Sequence, residues 1–437
     1  MTRRSLIACP HCAQLHQRIP IAKGASAACL RCGYVLYRQS ALPLKGWLAL
    51  TLAALIVFAM ANYFPIATLA ANGRQINATL PNALILTWQQ GRPLVALMTG
   101  LFGFALPLTQ LLFLFWAMHA IILQRLPADF HWGMRVLHVL SSWCMVPVLL
   151  LGILVAIVKL SGLAQVEPGP GLWAFGVLAV LLTALSRVTA QRLWRMAEDD
   201  GLVSQSGADV EPGRIVAACH SCGNVQSIAS VSGSYSCGRC GANNYFRKPD
   251  SVSRTWAFVI TAGVLYIPAN ILPVMRIRMP TGVTAHTILG GVIELWRLGS
   301  WDLALIVFVA SVVVPMTKLF ALAVLLMQRQ WKGVAIARQR TRLYELVEFI
   351  GQWSMLDVFV VLLLSAMANF PGLSQVTAGP GAASFGIVVV LTMFAAMSYD
   401  PRQGWDADPG RESSGLQFCG RPMGLDQSLD NPATQAV

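Results

Sequence analysis

The sequence is written twice. Shifting the chain by 208 to 210 residues lays Cys9 on Cys219, Cys29 on Cys237, Asn62 on Asn270 and Pro65 on Pro273. The same shift lays Pro107-Leu108-Thr109-Gln110 on Pro315-Met316-Thr317-Lys318, Trp143-Cys144-Met145 on Trp353-Ser354-Met355, and Gly169-Pro170-Gly171 on Gly379-Pro380-Gly381. Self-similarity at a fixed offset marks copies of one structural unit. Whatever this chain folds into, it must do so twice, and each landmark needs a reason that holds in both copies.

Each copy carries four apolar runs: about 44–64, 94–123, 136–158 and 172–193 in the first, and 256–271, 303–327, 346–368 and 382–397 in the second. Most reach the roughly 20 residues a helix needs to cross a bilayer. With 56% hydrophobic and 12% charged residues, the chain is too apolar for a soluble globule. Four spans per copy is an even number, so the copies share one orientation and form parallel repeats, not inverted ones. The net charge of +13 would suggest nucleic acid on a soluble chain; here basic residues flanking the spans account for most of it, and no nucleic-acid partner is expected. Lys45, Arg125 with Arg135, Arg187 with Arg192 and Arg195, and the cluster Arg329, Lys332, Arg338, Arg340 and Arg342 mark inside loops. Arg276, Arg278 and Arg297 are exceptions on the outside. Met1-Thr2-Arg3-Arg4-Ser5 has no apolar signal region, so both termini are expected in the cytoplasm.

Eight of the ten cysteines form two tetrads, with Cys144 and Cys419 outside them. Cys9 and Cys12 are followed after sixteen residues by Cys29 and Cys32; Cys219 and Cys222 are followed after fourteen by Cys237 and Cys240. Two C-x2-C knuckles can close a tetrahedral thiolate site, and such a site can hold together a module too small for its own core. Two structural zinc sites are expected; a thiolate tetrahedron does not distinguish zinc from iron. A reducing cytosol would keep these thiols available as ligands. Gly223 and Gly241 allow the tight turns after the second pair of knuckles. His11, between two ligands, reads as a solvated residue.

Lys318 lies within the sixth run. A lysine at that depth costs several kcal/mol unless it meets a partner or water, which makes it a functional-site candidate. Asp357, in Trp353-Ser354-Met355-Leu356-Asp357-Val358-Phe359 of the next run, is its expected partner. Lys318 lies nine residues before Met327 and Asp357 nine after Glu348, so antiparallel helices would bring both to a depth of roughly 13 Å. Thr317, Ser354 and Ser365 are candidate lining groups of a polar pocket. The first copy has Gln110 and Pro147 at these places, so only the second holds the charged pair. The competing structural reading is a static ion pair that locks two helices. Outside the membrane, Ile288, Val292, Leu295 and Trp296 follow helical spacing and predict an amphipathic surface helix. His286 at its start reads as a capping or solvated residue. His119, His131 and His138 lack a nucleophile partner, so no catalytic site is expected.

The expected fold is an all-α polytopic membrane protein of two parallel repeats of four transmembrane helices, each preceded by a small β-rich zinc-ribbon-like module. The boundaries are 1–40 for the first module, 41–196 for the first transmembrane unit, 197–250 for an acidic linker and second module, 251–399 for the second unit, and 400–437 for a disordered cytoplasmic tail. Paired C-x2-C modules each before four spans, Trp353 to Phe359, and Asp400-Pro401-Arg402-Gln403-Gly404-Trp405-Asp406 together resemble the PqiA/LetA family of bacterial inner-membrane proteins. The resemblance covers about residues 5 to 406; Gly404 stands where a bulkier residue is usual. It implies a Gram-negative inner-membrane component of intermembrane phospholipid transport that exchanges lipid with a periplasm-spanning MCE-domain partner. The alternative is a metal- or redox-sensing membrane regulator whose active part is the cysteine modules.

Overall fold

The computed structural model describes residues 5–71, 74–89, 96–97, 100–143, 150, 152–154, 165–208, 210, 214–279, 282–297, 299, 301–328, 333–353 and 375–406. The first module is two hairpins, β1 (Leu6–Ala8) with β2 (Leu15–Gln17) and β3 (Ser26–Ala28) with β4 (Val35–Arg38), and each hairpin turn holds one knuckle. The chain then enters α1 (Leu44–Tyr63), a hairpin of β5 (Ala67–Ala71) and β6 (Arg74–Ala78), and a short helix α2 (Leu80–Gln89). Next come α3 (Leu101–Ile122) and α4 (Phe130–Trp143), strand β7 (Gln165–Pro168), and the helices α5 (Pro170–Leu185) and α6 (Ala190–Asp199).

The second copy repeats this order. Strands β8 (Ile215–Ala218), β9 (Val225–Ile228), β10 (Ser234–Ser236) and β11 (Asn243–Tyr245) form the second module. Helix α7 (Ser251–Ile271), strands β12 (Met275–Met279) and β13 (Gly282–His286), and α8 (Ile288–Arg297) follow. Then come α9 (Ala304–Met327 as a span), α10 (Val334–Trp353), β14 (Gln375–Ala378), α11 (Pro380–Ser398) and a closing 3-10 turn, Pro401–Trp405. Among the described residues, α1, α3, α7, α9 and α11 are long and apolar enough to cross a membrane, and α5 with α6 makes a sixth if that bent pair counts as one span. About half of the expected third run at 136–158, and most of the one at 346–368, falls outside the described residues.

Three features differ from a purely helical bundle. On the side away from the modules, β7 returns to pair with β5, and β14 returns to pair with β12, making two three-stranded antiparallel sheets in the same order. The Gly-Pro-Gly motifs explain the return. Gly169 and Gly171 donate N–H bonds to Ile66 O and Pro65 O at 2.9 Å each, and Gly379 and Gly381 donate to Val274 O and Pro273 O at 2.8 and 3.1 Å. A Cβ at Gly169 or Gly379 would collide with the carbonyl oxygen of Pro65 or Pro273, so only glycine permits the approach. Each motif thereby pins the start of the last helix to the end of the first.

The fourth run of the first unit is not one straight helix. Helix α5 ends at Leu185, and the chain bends by 54° into α6, whose first turn is capped by Thr189 accepting from Arg192 N–H. The acidic stretch read as a linker begins inside α6: Glu198 and Asp199 form its last turn. Acidic groups there oppose the helix dipole, and arginines from both modules offset the charge. Arg18 makes a bidentate pair with Asp199 at 2.6 and 2.7 Å, and Arg239 reaches Glu198 at 2.5 Å.

The third feature is a wide turn at the same place in both units. Residues 101–105 and 309–313 are π-helical, with Leu106 N–H reaching Leu101 O and Val314 N–H reaching Val309 O. Pro107 and Pro315 follow directly. A proline inside a span removes one backbone bond and crowds the preceding turn, and the widened turn relieves both.

Candidate metal centres and a buried lysine

After each knuckle the chain makes the same closing bond. Ala13, Gly33, Gly223 and Gly241 donate N–H bonds to the carbonyls of Cys9, Cys29, Cys219 and Cys237 at 2.8 to 2.9 Å. All four have positive φ, between 60° and 81°; glycine tolerates this, and Ala13 accepts some strain. The turns gather the sulfurs. Sγ separations are 3.5 Å for Cys9 and Cys32, 3.4 Å for Cys12 and Cys29, and 3.6 Å for both Cys219 with Cys240 and Cys222 with Cys237. Within each tetrad all four sulfurs lie inside 4.8 Å of one another. A metal about 2.3 Å from four sulfurs requires tetrahedral edges of about 3.8 Å, close to these spacings. Further donors face the sulfurs: His16 Nε2 lies 3.2 Å from Cys29 Sγ, and Asn244 Nδ2 donates to Cys219 Sγ at 3.4 Å. Such groups stabilise thiolate charge and orient a ligand. Both tetrads fit a tetrahedral metal ion. Sequence reading missed His16 and Asn244, because neither has ligand spacing.

His11 is not solvated. It is 5% exposed and packs 4.1 Å from the Tyr34 ring and 6.0 Å from that of Tyr344. Burial pushes its imidazole down to about 4, so it stays neutral and serves as packing. His286 pairs with Glu294 at 2.8 Å, while Thr287 caps α8 by accepting from Gly290 N–H.

In the second unit Lys318 is fully buried. Its Nζ donates to Thr392 Oγ1 on α11 at 3.1 Å, and that hydroxyl donates to Val389 O at 2.8 Å, leaving oxygen lone pairs for the ammonium. A Cβ added to Gly351 on α10 would stand 4.0 Å from the same Nζ, so the lysine head lies where α9, α10 and α11 meet. Thr317 is half-buried beside it in sequence. Ser354, Asp357 and Ser365 lie outside the described residues, as do Cys144 and Cys419. Thr392 and the buried Ser311 of the π turn were not anticipated. A threonine in an apolar run is ordinary, and only the meeting of α9 with α11 gives Thr392 a role.

The stretch expected to be a disordered tail begins with an ordered turn. Asp400 accepts from Lys248 N, from Arg402 N and from the Arg402 guanidinium. Burial alone would raise its carboxyl, but the bonds and charge of Arg402 outweigh that and hold it at about 2. Gly404 leaves room for Arg340, whose guanidinium lies 3.4 Å from where a Cβ would stand and donates to Gly404 O at 3.2 Å. A cavity of about 110 Å³ lies between the two modules and away from Lys318.

Apolar helices of membrane length, two four-sulfur sites on small β-hairpins and a lysine buried within a span define a polytopic membrane protein with paired four-cysteine modules that fit a metal ion. The family described as Paraquat-inducible protein A matches residues 44–198 and 252–408, one match per unit. This chain belongs to that family. Among its relatives, "Intermembrane transport protein PqiA" of Escherichia coli K12 is 33% identical over 413 residues, covering 93% of this chain and 97% of that protein. "Lipophilic envelope-spanning tunnel protein A" of the same strain is 30% identical over 418 residues, covering 94% and 92%. A "Probable intermembrane transport protein" of Haemophilus influenzae is 28% identical over 383 residues, covering 87% and 90%. No solved structure matches the chain significantly.

Proposed function

We propose that this protein is the inner-membrane component of an intermembrane lipid transport system, with its cysteine modules in the cytoplasm. The names of its relatives support transport between membranes. In this reading each unit has four spans, both tetrads hold zinc, and the second unit passes phospholipid to or from a periplasm-spanning MCE-domain partner. Lys318, with Thr317, Ser354, Asp357, Ser365 and Thr392, forms the polar pocket. The observation that carries the reading is a wholly buried lysine held between spans at a place where the first unit has Gln110. An ammonium at membrane depth can meet the phosphate of a lipid headgroup, exchanging one anionic partner for another.

Lys318→Met keeps the stem of the side chain and removes the charge. The expected outcome is loss of outer-membrane barrier function, read as detergent sensitivity of cells, at unchanged abundance in the membrane. Intact barrier function, or loss that merely follows loss of the protein, would instead support a static role for the lysine. Burial of the sulfurs speaks against the sensing alternative: seven of the eight tetrad cysteines are buried and one is half-buried, whereas reactive thiols need access.

A further inference from the structure

Each cysteine tetrad packs against the membrane unit that it does not precede, although Arg18 of the first module also reaches α6, and Arg247 and Lys248 after the second tetrad reach the turn after α11. The first tetrad shares a buried cluster with Ala337 and Trp405, both from the second half of the chain. The second tetrad belongs to the cluster that holds Phe130, Leu193 and Trp194 of the first half.

The crossing repeats in detail. The second knuckles read Cys29-Leu30-Arg31-Cys32 and Cys237-Gly238-Arg239-Cys240, so Arg31 and Arg239 are equivalent. The Arg31 guanidinium lies 4.8 Å over the Trp405 ring and donates to Trp405 O at 3.3 Å; that of Arg239 lies 5.8 Å over Trp194. Both tryptophans follow the last long helix of their own unit. The membrane units answer in kind: Arg338 of α10 donates to Arg31 O at 2.9 Å, and Arg135 of α4 donates to Gly241 O at 3.5 Å. Gln191 of α6 adds a bond to His220 O at 2.8 Å. Between the crossed contacts the modules pack on each other through Ala13, Ala217, Ile228 and Phe246.

We propose that this crossing is a clamp set by metal. A bound metal ion closes each knuckle and so fixes the arginine inside it. Strands of three or four residues cannot hold that geometry alone. The first module therefore holds α10 and the Trp405 turn of the second unit, and the second module holds α4 and α6 of the first. A stacked arginine is worth more when it is desolvated and preorganised, which a closed knuckle supplies. The chain order thus hides the working pairs: metal bound near the N-terminus steadies the unit that carries Lys318, about three hundred residues later.

The test uses the purified full-length protein in detergent, with hydrogen exchange followed by mass spectrometry and metal content measured alongside. Arg31→Ala leaves all eight cysteines in place. It should speed exchange in 334–353 about tenfold and leave 130–143 as in the parent protein, with metal content unchanged. Arg239→Ala should do the reverse. Cys29→Ser with Cys32→Ser should lose half of the bound metal and expose 334–353 before 130–143, providing a reading even if the arginine variants are silent. Exposure of 130–143 by first-module variants, equal exposure of both helices by every variant, or a protected 334–353 after loss of the first metal would overturn the clamp.

Discussion

In the first membrane unit Gln110 and Leu182 occupy the places that Lys318 and Thr392 occupy in the second, and all four side chains are buried. Nearly everything around them is shared. The π turn, the proline after it, the Gly-Pro-Gly pin and the order of the far-side sheet recur in both units. So does the bond from Asn62 to Phe58 O at 2.8 Å, repeated by Asn270 to Tyr266 O at 2.9 Å. The backbone depends on proline, glycine and a few local side-chain bonds, whereas the polar contrast between the units lies at two positions. In the second unit the threonine hydroxyl receives the ammonium. In the first, Leu182 offers no such group, and Gln110 Oε1 has no hydrogen-bond partner among the described residues. The first unit keeps the scaffold and carries a neutral side chain where the second carries a charge.

Exchanging the key residue is the most direct way to break this comparison. Gln110→Lys would place an ammonium where no threonine receives it, at a cost of several kcal/mol; the check is a fall in thermal stability in detergent, partly reversed by adding Leu182→Thr. If Gln110→Lys were as stable as the parent, the two sites would be equivalent after all. Gly169→Ala and Gly379→Ala probe the shared part. Each drives a methyl group into a carbonyl oxygen, and each should cost about 3 kcal/mol in thermal unfolding. Markedly unequal losses would mean that the pins are not equivalent.

The smallest effect concerns the ends of the units. Asp400 has Ala190 as its counterpart in the first unit. Because its folded carboxyl is held at about 2, below its ordinary 3.8, the stabilisation is present above pH 4 and is lost as pH falls from about 4 towards 2. Asp400→Asn should remove about 2 kcal/mol of stability at neutral pH and flatten that acid limb. An unchanged limb in acid melting curves would show that Asp400 does not anchor the turn.

Much of the molecule is legible from local pattern. The tetrads follow from knuckle spacing, five of the helices from apolar length, the short helix α8 from its period, and Lys318 from being a charge in an apolar run. What escaped did so for physical reasons. Hydropathy counted residues 172–193 as one span, although the capping Thr189 starts a new helix within them. Composition placed Asp400 in a disordered tail, because the bonds that order it come from Lys248 and Ser251, some 150 residues away. His11 looked solvated beside its ligands, because its covers, Tyr34 and Tyr344, belong to different segments.

The sequence by itself determined the elements: what is long and apolar enough to cross a membrane, which cysteines gather into tetrads, and that both are built twice. These are properties of a short stretch against its surroundings, and periodicity, length and spacing express them directly. Only the tertiary structure decided the pairings. Strand β7 returns to β5, Thr392 receives Lys318, and each cysteine module meets the other copy's helices. Two halves built on one plan offer each module two similar surfaces. The choice between them depends on which faces remain after the helices have packed, a quantity that no single stretch of chain contains.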